Sequence, residues 1–467
     1  MKTWSRVCAL GLVALLLAGC DGVAGLFGSC KPPSDAESFA FDVTWTRVVQ
    51  VNQTASNTAP VLAGRPAGIE VLLTLVDGAL GAHLFDIRAT VDVAVDGESV
   101  GNLDLELGCV RGERSAMRGT IPGDWIREGT EVRVTVHSAL PNVAVPEEAF
   151  VVVPIVAAVP VFEVTIVPLV VGGESPDTSR AIYESWLDAA QSRFAIDAVD
   201  LEVRPPLDLG LGDDCTCQTR FAALQELNFQ RNAEGSERFF VGVLPCRVGG
   251  VAFTPGFVQV TSEGLAAVNT FIHELGHNLN LRHAPCGDPP GVDPSYPYEG
   301  GVLGLPGFDA ANGAWIPATA PDVMGYCAGA WLSDYHYDQS TRYRMFQERP
   351  PVLDALAVEA WPVSLVIQGQ LRPDGTVHLT HAVRLWTPWQ RRSTAAGDPR
   401  ETVLVEVVGR DGEVLARAEA ELVDIDHVDT RLFSARVGLT AADGFAAETV
   451  RASYQEERAT RAVVDGD

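Results

Sequence analysis

The sequence predicts an α/β domain flanked by two all-β sandwich domains. Short strands separated by turn signals fill residues 39–155 and return over residues 352–460. Between them, over residues 160–347, strand and helix patterns alternate. The length of 467 residues and the hydrophobic content of 47% are enough for roughly three folded domains.

The first β region is typical of an immunoglobulin-like sandwich. Phe39, Phe41 and Val43 recur at every second position, and the apolar alternation of residues 91–95 runs into an Asp96-Gly97 turn. Short strands with a turn about every ten residues favour a sandwich of two sheets. We interpret this domain as a spacer, with a binding module as the alternative.

The central region predicts a mixed sheet with helices. Expected strands cover residues 162–170, 199–203 and 238–244, and expected helices cover residues 181–194 and 221–232. A further strand, Gly256 to Val260, precedes a third helix, for which Ser262 is the expected N-cap.

The C-terminal region again shows β signals. Residues 363–367 and 402–408 are apolar strand patterns, and Arg410-Asp411-Gly412 marks a turn, so we expect a second sandwich. We interpret the acidic segment 424–429 as a solvated face, with a calcium site as the alternative.

Residues 1–20 have the pattern of an export signal. Two basic residues precede an apolar run, and Leu17-Ala18-Gly19-Cys20 resembles the lipobox of bacterial lipoproteins, which implies lipidation of Cys20. An ordinary secretory signal is the alternative. Residues 21–38 would form a tether, so we expect an exported protein held at the bacterial cell envelope through its N-terminal lipid alone.

Charge and cysteine content agree with export. The net charge of −27 repels phosphate backbones, which argues against nucleic acid as a partner. Seven cysteines follow residue 20, and in an oxidising compartment they predict disulfides, with Cys246 pairing with Cys215 or Cys217. A cysteine-based zinc site is the competing interpretation, but no pair has C-x-x-C spacing.

The segment from Phe271 to His283 carries a metal-binding pattern. On a helix, His273 and His277 lie about 40° apart, so both imidazoles point at one spot. His283 reaches the same spot only if the chain turns sharply, and Asn280 is suited to the left-handed conformation that ends a helix. Three imidazoles with one open position are typical of a catalytic zinc site, where Glu274 would act as general base.

The apolar residues of this segment indicate a helix that buries the face opposite the histidines. They are Leu265, Val268, Phe271, Ile272, Leu275 and Leu279. The alternative, an amphipathic helix with chance histidines, is disfavoured because three His and one Glu rarely occur at this spacing.

The three histidines and Glu274 resemble, in type and spacing, the extended zinc signature of the metzincin metallopeptidases, with Asn280 in place of the usual glycine. Asp322 to Cys327 resembles their Met-turn, which implies that Met324 forms an apolar floor beneath the three rings. Within the group, the segments after His283 and after the Met-turn resemble bacterial gametolysin-like or mucin-protease-like members. The resemblance implies one catalytic zinc ion and a protein or glycoprotein substrate bound as an extended strand along Gly256 to Val260.

Four further residues in this part of the sequence are candidates for a role at the site or in its support. Tyr326 matches the tyrosine that astacin-like and serralysin-like metzincins place near the metal, with a packed aromatic as the alternative. Cys286 and Cys327 flank the loop between helix and Met-turn, so we expect them to be bonded. His336 is interpreted as a surface or structural residue, with a catalytic role as the alternative.

Two functions are compatible with the sequence. The first is a zinc-dependent endopeptidase. The second is a non-catalytic envelope lipoprotein that binds a surface glycan or protein and keeps zinc as a structural ion. The intact Glu274 argues against the second, since a structural site needs no base.

Overall fold

A computed structural model describes residues 30–212, 215–247, 249–264, 267–346, 360–386, 389–390, 401–426 and 428–466. The predicted signal segment 1–20 with Cys20, and residues 21–29 of the tether, lie outside the described residues. Contacts divide the chain into two compact units. The first comprises residues up to 49, 55–57 and 66–154, and the second comprises residues 50–54, 58–65 and 155–467.

The strands up to residue 157 are short and mostly antiparallel. They are β1 (Phe39–Val49), β2 (Val61–Leu62), β3 (Ala67–Asp77), β4 (His83–Leu84), β5 (Ile87–Val95), β6 (Glu98–Glu106), β7 (Cys109–Val110), β8 (Arg114–Ile121), β9 (Thr130–Ser138), β10 (Val143–Ala144), β11 (Phe150–Val152) and β12 (Val156–Ala157). A short 3₁₀ helix covers Gly123–Trp125.

The first unit contains two four-stranded sheets, with strand orders β10-β1-β3-β8 and β11-β9-β5-β6. Along β5 every second residue is buried, as a strand that covers a core on one face requires. A disulfide joins Cys30 to Cys109. The arrangement fits the sandwich expected for this part of the chain.

The elements from residue 162 to residue 346 alternate between strand and helix and then become irregular. They are β13 (Phe162–Val170), α1 (Arg180–Arg193), β14 (Val199–Val203), β15 (Leu207–Asp208), α2 (Cys217–Glu234), β16 (Phe239–Leu244), β17 (Val251–Thr254), β18 (Val258–Ser262), α3 (Ala267–Asn278), the 3₁₀ turn Glu299–Gly301, β19 (Gly307–Asp309), β20 (Ala314–Ile316) and α4 (Asp334–Phe346).

Five of these strands form a mixed sheet in the order β14-β13-β16-β18-β17, in which only β17 is antiparallel to its neighbour. Helices α1 and α3 pack on one face, where Trp186 and Phe271 lie in the same apolar core as Ile166. Helix α2 covers the other face through Leu224 and Leu227. The sheet therefore supports α3 from one side.

Two details of this region correct the sequence predictions. Strand β18 has β16 on one side and β17 on the other, so Val251–Thr254 and not Gly256 to Val260 forms the antiparallel outer strand of these five. Ser262 ends β18, where its hydroxyl donates to the carbonyl of Gly249, and helix α3 begins five residues later. Ser262 is therefore not the N-cap of α3.

A short N-terminal stretch belongs to the second unit. The carbonyl of Val51 accepts from the indole of Trp331 at 2.9 Å, and the amide of Asn52 donates to the carbonyl of Leu332 at 3.0 Å. Val51 is fully buried in the core that contains α3. The expected sandwich boundary of 39–155 thus differs from the compact units, because residues 50–54 and 58–65 pack with the central region.

Below α3, the buried carboxylate of Asp322 organises an irregular segment. It accepts from the backbone amides of Met324 and Ser333, each at 2.8 Å, and lies 3.1 Å from Nδ1 of His336. His336 is completely buried, so it is structural and not a surface residue. Cys286 is bonded to Cys327 as expected.

The remaining elements form the C-terminal β region. They are β21 (Ala360–Trp361), β22 (Val363–Leu371), β23 (Val377–Leu385), β24 (Trp389–Gln390), β25 (Thr402–Gly409), β26 (Val414–Ile425), β27 (Val428–Leu439), α5 (Ala441–Ala446), β28 (Ala447–Tyr454), β29 (Glu457–Ala462) and β30 (Val464–Asp465).

Strand β26 links two sheets of this region. Its first half pairs with β25, which also pairs with β28, and its second half pairs with β27, which continues to β22 and β23. Apolar residues of both sheets share one core, as in a sandwich. The end of β26 also pairs with β17, so one continuous sheet joins the central and C-terminal regions.

The part of the chain that the structure describes contains three disulfides, including Cys215–Cys246, and these indicate an extracellular or periplasmic protein. Among the described residues, every helix is too short or too polar to span a bilayer.

Candidate metal centre

Helix α3 places three functional side chains in one buried position. His273, Glu274 and His277 are all buried. The helix ends at Asn278, and Asn280 has a φ of +69°, in the left-handed region. The amide of Leu281 then donates to the carbonyl of Gly276 at 2.9 Å, which closes the end of the helix. This turn brings the following histidine back to the same side of α3.

The three imidazoles converge through their Nε2 atoms. Nε2 of His273 lies 3.2 Å from Nε2 of His277 and 3.2 Å from Nε2 of His283. Their Nδ1 atoms face backbone carbonyls of Val323, Leu281 and Pro290 at 2.8, 2.8 and 2.5 Å, respectively. Because a carbonyl only accepts, each Nδ1 carries the proton and each Nε2 directs a lone pair at the common point.

This donor set fits a zinc ion. Three lone pairs at such short range repel one another unless a cation lies between them. In tetrahedral coordination, with zinc–nitrogen bonds of about 2.0–2.1 Å, two ligands lie about 3.4 Å apart, close to the separations seen here. His273, His277 and His283 therefore match the three ligands expected from the sequence.

A fourth residue of the site was missed by the sequence analysis. Oδ2 of Asp426 lies 3.2 Å from Nε2 of His277, and its Oδ1 lies 3.4 Å from Nε2 of His283. With the three histidines it forms a His₃Asp group that could hold one metal ion. Asp426 is buried, so the interpretation of residues 424–429 as a solvated acidic face is wrong at this position. In the described part of the chain no calcium site is shown, and no local motif marks this one aspartate among the 61 acidic residues of the sequence.

Glu274 lies beside the imidazoles in a tight environment. One carboxylate oxygen, Oε2, is buried without a hydrogen-bond partner among the described residues. A Cβ atom at Gly250 would approach Oε1 to 2.4 Å, so a larger residue there would displace this carboxylate. Burial raises the pKa of Glu274, and the nearby carboxylate of Asp426 adds to the effect. A carboxyl of raised pKa is suited to exchanging a proton with a ligand near neutral pH.

The histidines respond to the same environment in opposite ways. Burial lowers the pKa of His273 to about 3, so this ring is neutral and ready to bind a metal. Burial also opposes the charging of His277, but the carboxylate of Asp426 outweighs it and raises the pKa of His277 to about 9.

Met324 and Tyr326 both lie next to the histidines. Met324 is fully buried, and a Cβ atom at Gly276 would come within 2.3 Å of its sulfur, so the Met-turn packs directly against α3. Residue Tyr326 is 43% exposed, and the centroid of its ring lies 5.1 Å from that of the His283 ring. The position of Tyr326 is compatible with the predicted contact to a ligand, but its role stays a prediction.

Two cavities open beside the metal-binding group. One, of about 470 Å³, is lined by His273, Glu274 and Tyr326. The other, of about 490 Å³, is lined by His277, His283 and the turn between β26 and β27. The turn that carries Asp426 therefore lies on the second side of the site and leaves the first side accessible.

Comparison with known proteins agrees with this chemistry. The sequence model of the peptidase M66 family matches residues 233–344, which include the three histidines, Glu274 and Met324. This match indicates a zinc-dependent peptidase. No curated protein matches the chain.

Solved structures show only distant likeness. A glycosyl hydrolase family 2 member from Bacteroides cellulosilyticus is 11% identical, with 92% of this chain and 64% of that chain covered and a TM-score of 0.19. The chain thus spans less than two thirds of the length of that protein. A β-glucuronidase from Parabacteroides merdae is 8% identical, with coverage of 90% and 76% and a TM-score of 0.16. Neither likeness supports a statement about fold or function.

Proposed function

We propose that this chain is a zinc-dependent endopeptidase of the metzincin type that cleaves extracellular or envelope proteins or glycoproteins. The observation that carries the proposal is the buried carboxylate of Glu274 beside three imidazoles whose Nε2 atoms meet at one point. A structural zinc site needs ligands but no buried carboxylate oxygen without a hydrogen-bond partner next to them, as Oε2 of Glu274 is among the described residues.

Each residue of the site would have a separate role in peptide hydrolysis. A zinc ion held by His273, His277 and His283 would supply a Lewis acid that polarises a carbonyl and acidifies water. Oε2 of Glu274 then accepts a proton from the attacking water and delivers it to the leaving amine. The hydroxyl of Tyr326 would donate a hydrogen bond to the negative charge that develops on the carbonyl oxygen.

Substrate binding would use the backbone of β17. This strand is antiparallel to β18 and follows Gly250, which lies against Glu274. An extended peptide that pairs with such a strand gains main-chain hydrogen bonds independent of its sequence. The mixed sheet, the packing of Met324 on Gly276 and the peptidase M66 match all support the metzincin assignment.

The proposed place of action is the outside of the bacterial cell. The three disulfides support an oxidising compartment. Lipidation of Cys20 would hold the protein at the envelope, and palmitate labelling that is equal in wild type and Cys20→Ser would refute it.

The test of the peptidase is Glu274→Gln. The amide keeps the size of the side chain but removes the base, so hydrolysis of a casein-type substrate should fall by about 10²- to 10⁴-fold while zinc content stays at the wild-type level. Glu184→Gln is the matched control, because Glu184 is exposed on α1 and only pairs with Arg180. It should keep full activity.

The binding-protein alternative makes the opposite prediction. If zinc-loaded wild type cleaves no member of a broad peptide library, and Glu274→Gln binds envelope partners as wild type does, the endopeptidase is wrong. His273→Ala should lose zinc under either function, since two remaining imidazoles hold the ion weakly. That variant therefore tests the metal site alone.

A further inference from the structure

We propose that residues 424–426, the end of β26 and the start of the turn that follows it, are a built-in inhibitor of the metal site, which holds the peptidase at low activity until these residues are displaced. The inference rests on the proposed function and adds its regulation. Two separate contacts support it. The carboxylate of Asp426 lies at the imidazoles, and the end of β26, just before Asp426, pairs with β17.

The first contact places Asp426 where the fourth ligand of a three-histidine site lies. Its two oxygens are 3.2 and 3.4 Å from Nε2 of His277 and His283, nearly the separation between the imidazoles themselves. These distances suit another corner of a tetrahedron of which the histidines form three. An anionic carboxylate in that corner excludes the water that hydrolysis needs.

The second contact covers the strand that a substrate would use. Phe253 lies opposite Ile425 and Thr254 opposite Asp424 in an antiparallel ladder. The amide of Asp426 donates to the carbonyl of Ala252 at 3.0 Å. An extended peptide that pairs with β17 must therefore replace β26 at the same backbone groups.

The contact between the end of β26 and the central sheet is buried. Ile425 is buried in one apolar cluster with Phe253 and Val258 of the central sheet. Asp426 is buried as well, whereas Asp424 and Asp429 on either side of it are exposed. The turn is thus anchored on the central sheet by an apolar side chain next to the aspartate.

The side of the metal site away from Asp426 stays accessible, so a small molecule can test the first contact. The cavity of about 470 Å³ lined by His273, Glu274 and Tyr326 can admit a small metal-binding molecule such as acetohydroxamate. Such a probe competes with Asp426 for the metal but does not need β17. Its affinity therefore reports the first contact separately from the second.

The experiment compares Asp426→Asn with Asp429→Asn, which removes the same charge from an exposed position at the start of β27. Both variants and wild type are loaded with cobalt(II) in place of zinc. Asp426→Asn should change the visible absorption of the cobalt centre and bind acetohydroxamate at least about 10-fold more tightly, because a competing ligand lowers the competent fraction in wild type. With zinc, its kcat/KM on a peptide substrate should rise by a similar factor.

The outcomes separate this inference from the proposed function. Tighter acetohydroxamate binding by Asp426→Asn without peptide cleavage by any variant would support the inhibitor and refute the peptidase. Equal absorption spectra and equal affinities in all three proteins would overturn the inhibitor. Loss of the metal from Asp426→Asn would also overturn it, because Asp426 would then be a permanent structural ligand.

A measurement on wild type keeps the inference testable if Asp426→Asn fails to fold. Saturating acetohydroxamate should release Asp426, and hydrogen exchange of the backbone amides of residues 424–426 should then become faster. Unchanged exchange of these amides with the probe bound at the metal would refute displacement of the turn.

Discussion

At the scale of single residues, the site depends on small side chains and on one unusual backbone angle. The left-handed Asn280 ends α3 and turns the chain toward His283. Gly276 and Gly250 leave room for Met324 and for the Glu274 carboxylate, respectively. Substitution at these positions tests the geometry without removing a ligand.

Gly276→Ala is expected to destabilise the protein despite the higher helix propensity of alanine. The new Cβ would lie 2.3 Å from the sulfur of the fully buried Met324. Alanine gains about 1 kcal/mol within a helix, whereas overpacking costs about 1–3 kcal/mol. Urea unfolding should show a net loss, together with weaker zinc retention against a chelator.

A double variant checks the cause of that loss. Met324→Ala by itself creates a cavity, but with Gly276→Ala present it also removes the clash. The two losses should therefore add to more than the loss of the double variant. Strict additivity would show that Met324 does not limit the space at Gly276.

Tyr326→Phe tests whether the tyrosine hydroxyl takes part in catalysis. The ring lies beside His283 and is partly exposed, so removing the hydroxyl leaves the packing intact. If the hydroxyl stabilises the developing charge, kcat should fall by roughly 10- to 1000-fold with unchanged zinc content. An unchanged kcat in steady-state assays would leave Tyr326 as a packing residue.

At the scale of elements, local patterns could be predicted and long-range pairings could not. The positions of His273, His277 and the turn at Asn280 follow from helix geometry within a few residues. Asp426 comes from the C-terminal β region, about 150 residues after the histidines in sequence, and nothing near it in sequence marks it as their neighbour. The outer strand was misassigned for the same reason, since a short apolar run does not reveal its neighbours in a sheet.

The Cys286–Cys327 disulfide is expected to hold the Met-turn in place as well as stabilise the fold. It closes a segment with a sequence separation of 41, and the Tyr326 amide donates to the Cys286 carbonyl beside it. Replacing both cysteines by serine should cost about 4 kcal/mol in the chain-entropy treatment. It should also speed zinc release to a chelator.

The matched control removes the disulfide between Cys215 and Cys246, with a sequence separation of 31. Its loss should cost nearly as much unfolding free energy, again about 4 kcal/mol, because closure entropy depends only weakly on loop length. Zinc release should stay at the wild-type rate, because both cysteines pack against the apolar cluster on the α2 side of the sheet, whereas Met324 lies in the cluster on the α3 side. Equal effects of the two removals on zinc would contradict a special role for Cys286–Cys327.

At the scale of the whole molecule, the order of domains along the chain does not match the compact units. Residues 50–54 and 58–65 lie within the expected first sandwich but belong to the second unit. The amide of Asn52 donates to the carbonyls of Leu332 and Leu305, and Asn52 is fully buried. Turn and strand signals could not predict this, because they describe the two strands around the insertion and not its packing partners.

A chain shortened to residues 155–467 tests whether the residues before it are only a spacer or whether some of them also support the second unit. If residues 50–65 support the core around α3, the shortened chain should melt at a lower temperature and lose zinc more readily than the full chain. In the full chain, Asn52→Ala should cost about 1–3 kcal/mol, because the buried carbonyl of Leu332 and the half-buried carbonyl of Leu305 lose their donor. Asn102→Ala, at an exposed position of β6, is the control and should change the unfolding free energy little. Calorimetry and chelator competition that find the shortened chain equal to the full one would show that the first 154 residues are only a spacer.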